Sequence, residues 1–307
     1  MEDRPLALYR RYLWESKNIS WIYTSGLDQL FASRRQYFET CGMAQHMLTE
    51  AQQHEVDDLI VAATLAAESQ VERESWGWTI RIPLKPWGIF CATEPEGAVC
   101  ARFSQLAEEA SQDPVGLFAV QRIAPNSPMR QTSLIPRDVS THLLVEQYFD
   151  ESEQLPARIA INSKEALMAL SMPNAEWDIV KGLSETDLFS LFHELLRENE
   201  VKEETVDDTL SEKAREIKAK FAQTKGDPIG SMIGDLKLMH EAVFYYGCRC
   251  DIHQIKQMIE HLPKSHQEEL WQDSKSKAKG STRIPPISQL REPFASMCPI
   301  WISRARI

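Results

Sequence analysis

The sequence predicts an α+β fold. Three observations carry the prediction: a long apolar helical stretch early in the chain, a series of short period-two runs separated by prolines, and a further helix lying among those runs. Helices before and inside a set of strands are the pattern of an α+β domain. The expected organisation is an α+β core over residues 1–180, a helical linker over 181–235 and a small C-terminal redox or zinc-type module over 236–307.

Taken in order, Leu6 to Trp14 reads as a short apolar-aromatic helix, and Gly26 to Phe31 as the start of another. Met43 to about Gln70 reads as a long helix whose apolar run, Leu59 to Ala67, belongs in the core. Trp78, Ile80, Ile82 and Leu84 then alternate with other residues, which predicts a strand with one buried face. Further strands are expected at Ile89–Ala92, Ala98–Phe103, Gly116–Ile123, Ala157–Ile161 and Leu167–Ser171. Pro83, Pro86, Pro95, Pro114, Pro125, Pro128 and Pro136 mark turns between them. Ser140 to Glu151 is the helix that interrupts the strands.

The linker begins with Ser184-Glu185-Thr186-Asp187, a capping pattern, and continues with Leu188, Leu191, Phe192, Leu195 and Leu196 at helical spacing. Beyond it, Leu210, Ala214, Ile217 and Phe221 form a thin apolar seam on a charge-dense stretch. Such a helix depends on docking against a neighbour. Two readings stay open: ordinary surface helices covering the sheet, or a segment that undocks to work.

The C-terminal region holds Gly247-Cys248-Arg249-Cys250 and, far downstream, Cys298-Pro299. A Cys-x-Cys pair can ligate one Zn²⁺ or close on itself as a strained disulfide. Polar flanks and Arg249 favour an accessible thiolate at Cys248 and Cys250. Cys41, Cys91 and Cys100 stand alone among apolar neighbours and read as packing residues. The run Ser274 to Ser281 is basic and low in complexity, as in a surface loop. So small a module, with so few apolar residues, commonly needs a staple such as a metal.

Composition excludes several classes. With 43% hydrophobic and 26% charged residues the chain is globular, and its net charge of −11 argues against a nucleic-acid footprint. No run is long enough for a membrane span, and Met1-Glu2-Asp3-Arg4 lacks the order of a signal peptide, so a cytoplasmic chain with reduced thiols is expected. No phosphate-binding Gly-x-x-x-x-Gly-Lys-Ser/Thr loop occurs, so no ATP machinery is expected.

Leu143 to Arg158, with Tyr148-Phe149, Ser152-Glu153-Gln154-Leu155-Pro156 and Arg158 as its specific part, resembles the helix-to-strand signature of the 33 kDa heat shock protein family, the redox-regulated holdase chaperones. The Tyr9 to Trp14 stretch, the helix through Leu59 to Ala67, Leu191-Phe192-His193-Glu194 and Phe244-Tyr245-Tyr246-Gly247-Cys248-Arg249-Cys250 agree in order. The resemblance implies a core, a helical linker and a zinc module. It implies Cys248, Cys250 and Cys298 as zinc ligands and Cys248 with Cys250 as the redox-active pair. Where the family has its fourth cysteine this chain has Trp301, whose indole cannot ligate zinc. A fourth donor from His253, His261, His266 or water, or no metal at all, are the alternatives.

In the family, oxidation replaces zinc by disulfides, unfolds module and linker, and uncovers apolar surface for unfolding proteins. The function this implies is an ATP-independent holdase, with Leu188, Leu191, Phe192 and Leu195 as client-binding residues. Expected partners are unfolded or partly folded client proteins and, in the oxidised state, a second copy of the chain; neither nucleic acid nor membrane is expected. The competing reading from another class is a thiol-disulfide oxidoreductase with Cys248 as nucleophile and Cys250 resolving.

Overall fold

Among the described residues, ten strands pair in one sheet whose two halves are each antiparallel. A computed structural model describes residues 5–41, 48–70, 74–83, 85–105, 115–124, 127–200 and 236–247. In chain order the strands are β1 (Ala7–Trp14), β2 (Ile19–Thr24), β3 (Ser75–Arg81), β4 (Trp87–Thr93), β5 (Ala98–Gln105), β6 (Leu117–Ile123), β7 (Arg130–Leu134), β8 (Ala157–Ile161), β9 (Ala166–Ser171) and β10 (Leu236–Tyr246). The helices are α1 (Leu27–Cys41), α2 (Glu50–Glu68), α3 (Thr141–Tyr148), the short α4 (Asp178–Lys181) and α5 (Glu185–Glu200). The chain divides into two compact units, Met1–Ser33 with Leu48–Tyr246, and Arg34–Met47 with Gly247–Ile307. Of the second unit, only the later part of α1 and Gly247 lie among the described residues.

The strand order is β7-β6-β3-β4-β5-β10-β1-β2-β9-β8. All pairs are antiparallel except β10 with β5, which is parallel and rests on Tyr245 opposite Ala98 and Tyr246 opposite Val99. Tyr246 reinforces this short seam, its hydroxyl donating to the Ala101 carbonyl (2.9 Å) and accepting from the Ala101 N–H (3.2 Å). Gly97, at φ +89°, lets the β4–β5 turn come close: a Cβ there would lie 1.9 Å from the Val243 carbonyl oxygen. Only glycine tolerates both that backbone angle and that approach.

The mixed α/β architecture expected from the sequence is present, with a large sheet and several helices. The strands expected at 89–92, 98–103, 116–123, 157–161 and 167–171 are β4, β5, β6, β8 and β9, and the run from Trp78 forms β3. The expected helix over Leu6 to Trp14 is instead strand β1. β1 alternates without interruption but is covered on different faces along its length: Tyr9 meets Thr64 of α2, whereas Tyr12 and Trp14 lie in the cluster with α5, so the buried positions change parity midway and mimic a helical spacing. Arg11, on the same face as Tyr9, donates to the carbonyls of Glu68, Ser69 and Gln70, which closes the end of α2.

Helix α2 starts later than its apolar pattern suggests. Thr49 and Gln52 form a reciprocal capping box there. From Leu59 to Ala66 every residue is buried, so this helix is apolar all round and lies in the core. Cys91 is buried in β4 and Cys100 is half-buried in β5, in keeping with packing roles; the side chain of Cys41 lies outside the described residues. Among the described residues, no helix is long and apolar enough to cross a membrane.

Two buried polar clusters tie the elements together. Arg122 in β6 donates to Glu74 (2.6 Å) and Glu153 (2.8 Å) while its guanidinium lies 4.3 Å over the Trp76 ring. Removing one member of such a cluster strands a buried charge. In the second, Asp58 of α2 holds His142 of α3 (3.1 Å) and His54 (3.0 Å), and the far nitrogen of His142 stands 3.7 Å from Glu185 in the first turn of α5.

Burial opposes charge on His142, but the hydrogen bond and charge of Asp58, with Glu185 and Glu146 behind it, outweigh burial and raise the imidazole above its ordinary value. Attraction to Asp58 raises His54 as well.

Two outcomes follow. Arg122→Ala leaves the Glu74 carboxylate buried with Arg130 alone and costs about 3–5 kcal/mol, measured by urea unfolding; a loss under about 1 kcal/mol places the cluster outside the stabilising framework. A group whose folded value is raised stabilises fully below its ordinary value and ceases to do so as pH rises through the folded value. Thermal stability therefore falls as pH rises above the ordinary imidazole range of about 6.5, and falls less in His142→Gln. Parallel pH profiles for the two proteins refute this.

Candidate functional site

Helix α5 begins where its capping residues place it. The Ser184 hydroxyl accepts the Asp187 N–H and donates to the Asp187 carboxylate. From there Leu188, Phe189, Phe192 and Leu195 point into the sheet and are buried, while Leu191 and Leu196 are half-buried. The four expected client-binding residues thus share one face of one helix, and that face is covered.

What covers it is an aromatic floor. Tyr12 and Trp14 of β1, Trp21 of β2 and Leu236 of β10 are buried in one cluster with the helix, and Tyr23 packs against it. Phe192 is its centre, with ring centroids 5.7 Å from Tyr12, 5.5 Å from Trp21 and 5.0 Å from Tyr23. Rings at these separations add attraction beyond the area they bury. Burial and the Glu165 hydrogen bond push the Tyr23 hydroxyl up to about 12, so it stays a donor to that carboxylate. Glu165 also holds His193 of α5 at 3.0 Å.

The docked helix has a polar frame at both ends. Arg158 donates to the carbonyls of Lys181 (3.3 Å) and Leu183 (3.0 Å), just before the cap. At the far end Asn199 donates to the Leu236 carbonyl, so the helix end and the start of β10 are joined. Against these ties, the indole N–H groups of Trp14 and Trp21 are buried under the helix with no hydrogen-bond partner among the described residues. Each costs about 1–3 kcal/mol relative to a satisfied donor.

The Leu143 to Arg158 signature has a structural meaning here. Tyr148 packs edge-on against Trp76 and Trp78, and its hydroxyl donates to Glu153, which also receives Arg122. A π-type turn over Phe149–Glu153 closes on Gln154, whose φ of 56° is left-handed, and the Leu155 N–H returns to the Phe149 carbonyl. The chain then enters β8, where Glu146 accepts the Ile159 N–H and Arg158 reaches out to hold the approach to α5. Burial raises the Glu146 carboxyl above its ordinary value. The signature is therefore a corner that sets α3, β8 and the entry to α5 in one piece.

Cys248, Cys250 and Cys298 lie outside the described residues, as does the seam from Leu210 to Phe221. Among the described residues no group of three or more His, Cys, Asp or Glu is arranged to hold a metal ion. The aromatic floor is the part of the site that sequence reasoning missed. Its signal was the dense run Ile19-Ser20-Trp21-Ile22-Tyr23-Thr24, buried at all but one position because β2 is an inner strand.

Residues 42–279 match the family model for the Hsp33 protein. The match takes in Cys248 and Cys250 and ends before Cys298. No curated protein matches the chain. Among solved structures, the 33 kDa chaperonin (heat shock protein 33 homolog) of Thermotoga maritima aligns over 88% of this chain and 89% of that one, at 14% identity and a TM-score of 0.47. With a family model matched over more than half its length, the chain belongs to the Hsp33 family.

Proposed function

We propose that this protein is an ATP-independent holdase chaperone of the cytoplasm, which captures unfolding proteins on apolar surface covered at rest by α5. The observation that carries this reading is the seat of Phe192 among Tyr12, Trp21 and Tyr23. Undocking α5 exposes both the helix face, with Leu188, Leu191, Phe192 and Leu195, and the aromatic floor. Contiguous apolar surface of that kind binds non-native chains. Family membership supports the chaperone class. The thiol-disulfide oxidoreductase reading has no observation in its favour.

Regulation by metal and disulfide is part of the proposal. Cys248 and Cys250 follow directly on β10, whose last residue is Tyr246. Two thiolates one residue apart fit half of a tetrahedral zinc site, and Cys298 supplies a third donor. Trp301 supplies none, so a histidine or water completes the set. Zinc, when bound, contributes folding free energy to the module. Closing Cys248 on Cys250 would remove two donors at once: the two thiolates would give two electrons to a peroxide, which would take up two protons from solvent and leave as two waters, and any metal held by them would be released. Dimerisation through the oxidised form belongs to the same proposal.

Two measurements test it. Phe192→Ser empties the centre of the aromatic seat, a loss of about 3–5 kcal/mol by the scale of large-to-small core changes. The folded variant suppresses aggregation of a heat-denatured client without oxidant, at lower ratios than the parent chain; equal or weaker suppression sinks the undocking step. Protein purified under reducing conditions carries about one zinc per chain, and Cys248→Ser loses it. Absence of zinc from the reduced parent chain removes the metal from the scheme.

A further inference from the structure

An open sheet has two edges, and this protein treats them differently. At β8, the N–H groups of Ile159 and Ile161 are taken by side-chain carboxylates, Glu146 at 2.5 Å and Glu185 at 3.5 Å. These come from α3 and α5, so that edge is closed by the helices beside it. At β7, among the described residues, no hydrogen bond reaches the backbone of Arg130–Leu134 from the side away from β6. The nearest bond is that of Gln147 to the Ile135 carbonyl, one residue past the strand.

β7 is short, but among the described residues its edge carries no bulge, proline or lysine and no covering segment. Its pairing with β6 runs without a bulge from Phe118 opposite Leu134 to Arg122 opposite Arg130. It contains no proline and no lysine. Arg130, its one charge, is engaged with Glu74, and Arg137 beyond it with Glu151. Natural edges are blunted by bulges, prolines or unpaired charges, and one that is not blunted accepts another strand.

The ends of this edge are apolar. Met129 and Ile135, which flank β7, are 47% and 70% exposed, and Val115 and Ile123 flank the neighbouring strand β6 and are exposed as well. By the register, Ile123 lies beside Met129 at one end, and Val115 lies toward Ile135 at the other. Every other residue of this five-residue strand turns its backbone N–H and C=O away from β6, and the stretch is framed by apolar side chains at both ends.

We infer that the β7 edge is a second client-contact site, which takes an extended, largely uncharged segment of non-native polypeptide as an added strand. This rests on the holdase reading above and adds a site that, among the described residues, is uncovered while α5 is docked. Backbone groups select for extended chain and not for sequence, which suits a partner defined only by being unfolded. A second copy of the chain is the poorer occupant: two five-residue strands side by side bury far less than the roughly 1,000 Å² of a stable interface. Brief contact with a client needs no such area.

The test uses the full-length reduced chain and reduced, carboxymethylated α-lactalbumin, a chain that cannot refold. Hydrogen exchange of the amides of 130–134 slows on adding the probe, with α5 still protected. Ser133→Lys weakens probe binding about fivefold, the scale of one cross-strand contact, and Ser133→Thr retains it. Both variants keep the parent's melting temperature, since Ser133 is exposed. Probe bound with unchanged exchange at 130–134 overturns the edge site and leaves the holdase reading standing. Failure to bind the probe or to suppress aggregation, before or after oxidation, overturns both. Slowed exchange at 130–134 that tracks protein concentration without probe, with doubled mass in solution, makes a second copy the occupant and overturns the client assignment.

Discussion

Strand β10 is the constraint on which the rest of the structure depends. It pairs along most of its length with β1 and, by only two residues, with β5, and it alone joins the two antiparallel halves of the sheet. Its first residue, Leu236, lies in the cluster beneath α5, and its last, Tyr246, holds Ala101 across the seam and the Ser33 hydroxyl through its N–H. The chain must cross the whole sequence to place it: β1 is among the first residues described and β10 among the last. Such non-local pairing costs loop-closure entropy before it returns any burial. Gly97 is the local condition for it, since any side chain there strikes the Val243 carbonyl.

Docking of α5 is a balance that the same strand helps to set. Favouring it are the burial of Leu188, Phe189, Phe192 and Leu195, the rings around Phe192, and polar ties from Arg158, His142 and Asn199. Opposing it are the ordering of the helix and two buried indole N–H groups without partners among the described residues. Full burial of such side chains is worth about 1.5–3 kcal/mol each, while fixing a residue's backbone costs about 1–2 kcal/mol, so the balance is drawn between terms of similar size. An element of this kind belongs to the low-stability end of a fold, where small changes at its edges decide whether it stays.

Much of this was legible from residues whose neighbours in sequence are their neighbours in space. The capping sequence at Ser184, the apolar spacing through Leu195 and the period-two run from Trp78 each act locally, and each forms the expected element. What was hidden depends on distant partners. Strand β1 lost its signature because α2 covers one of its faces at Tyr9 and α5 the other at Tyr12 and Trp14. Strand β7 is polar because it is an edge, and polar residues without periodicity read as loop. The aromatic floor became a site only through α5, which lies far along the chain from Trp21. The signature from Tyr148 to Arg158 was visible as a pattern, yet its physical content, a π-type turn fastened by Glu153 and an arginine that holds the entry to α5, is not a local property.

Cys248 and Cys250 follow β10 in the sequence, and this bears on how the proposed regulation would act. A paired strand does not transmit a signal by bending; coupling needs an element with two discrete arrangements that both sites bias. The end of β10 nearest Cys248 is its weakest stretch, held to β5 by two residue pairs, the Tyr246 hydroxyl and Ser33. The other end is held by β1, by Asn199 and by the cluster around Phe192. In the proposed scheme a signal from the thiols would have to loosen β10 from β1 to reach α5, since Asn199 and the cluster around Phe192 bind the far end of the strand. Under that proposal the β1–β10 pairing, and not the helix alone, would be the barrier to exposure of the aromatic floor. With Trp301 in place of a fourth thiol, a metal site at these residues would load that barrier with fewer ligands than the full family set, and the docking balance of α5 would carry correspondingly more of the control.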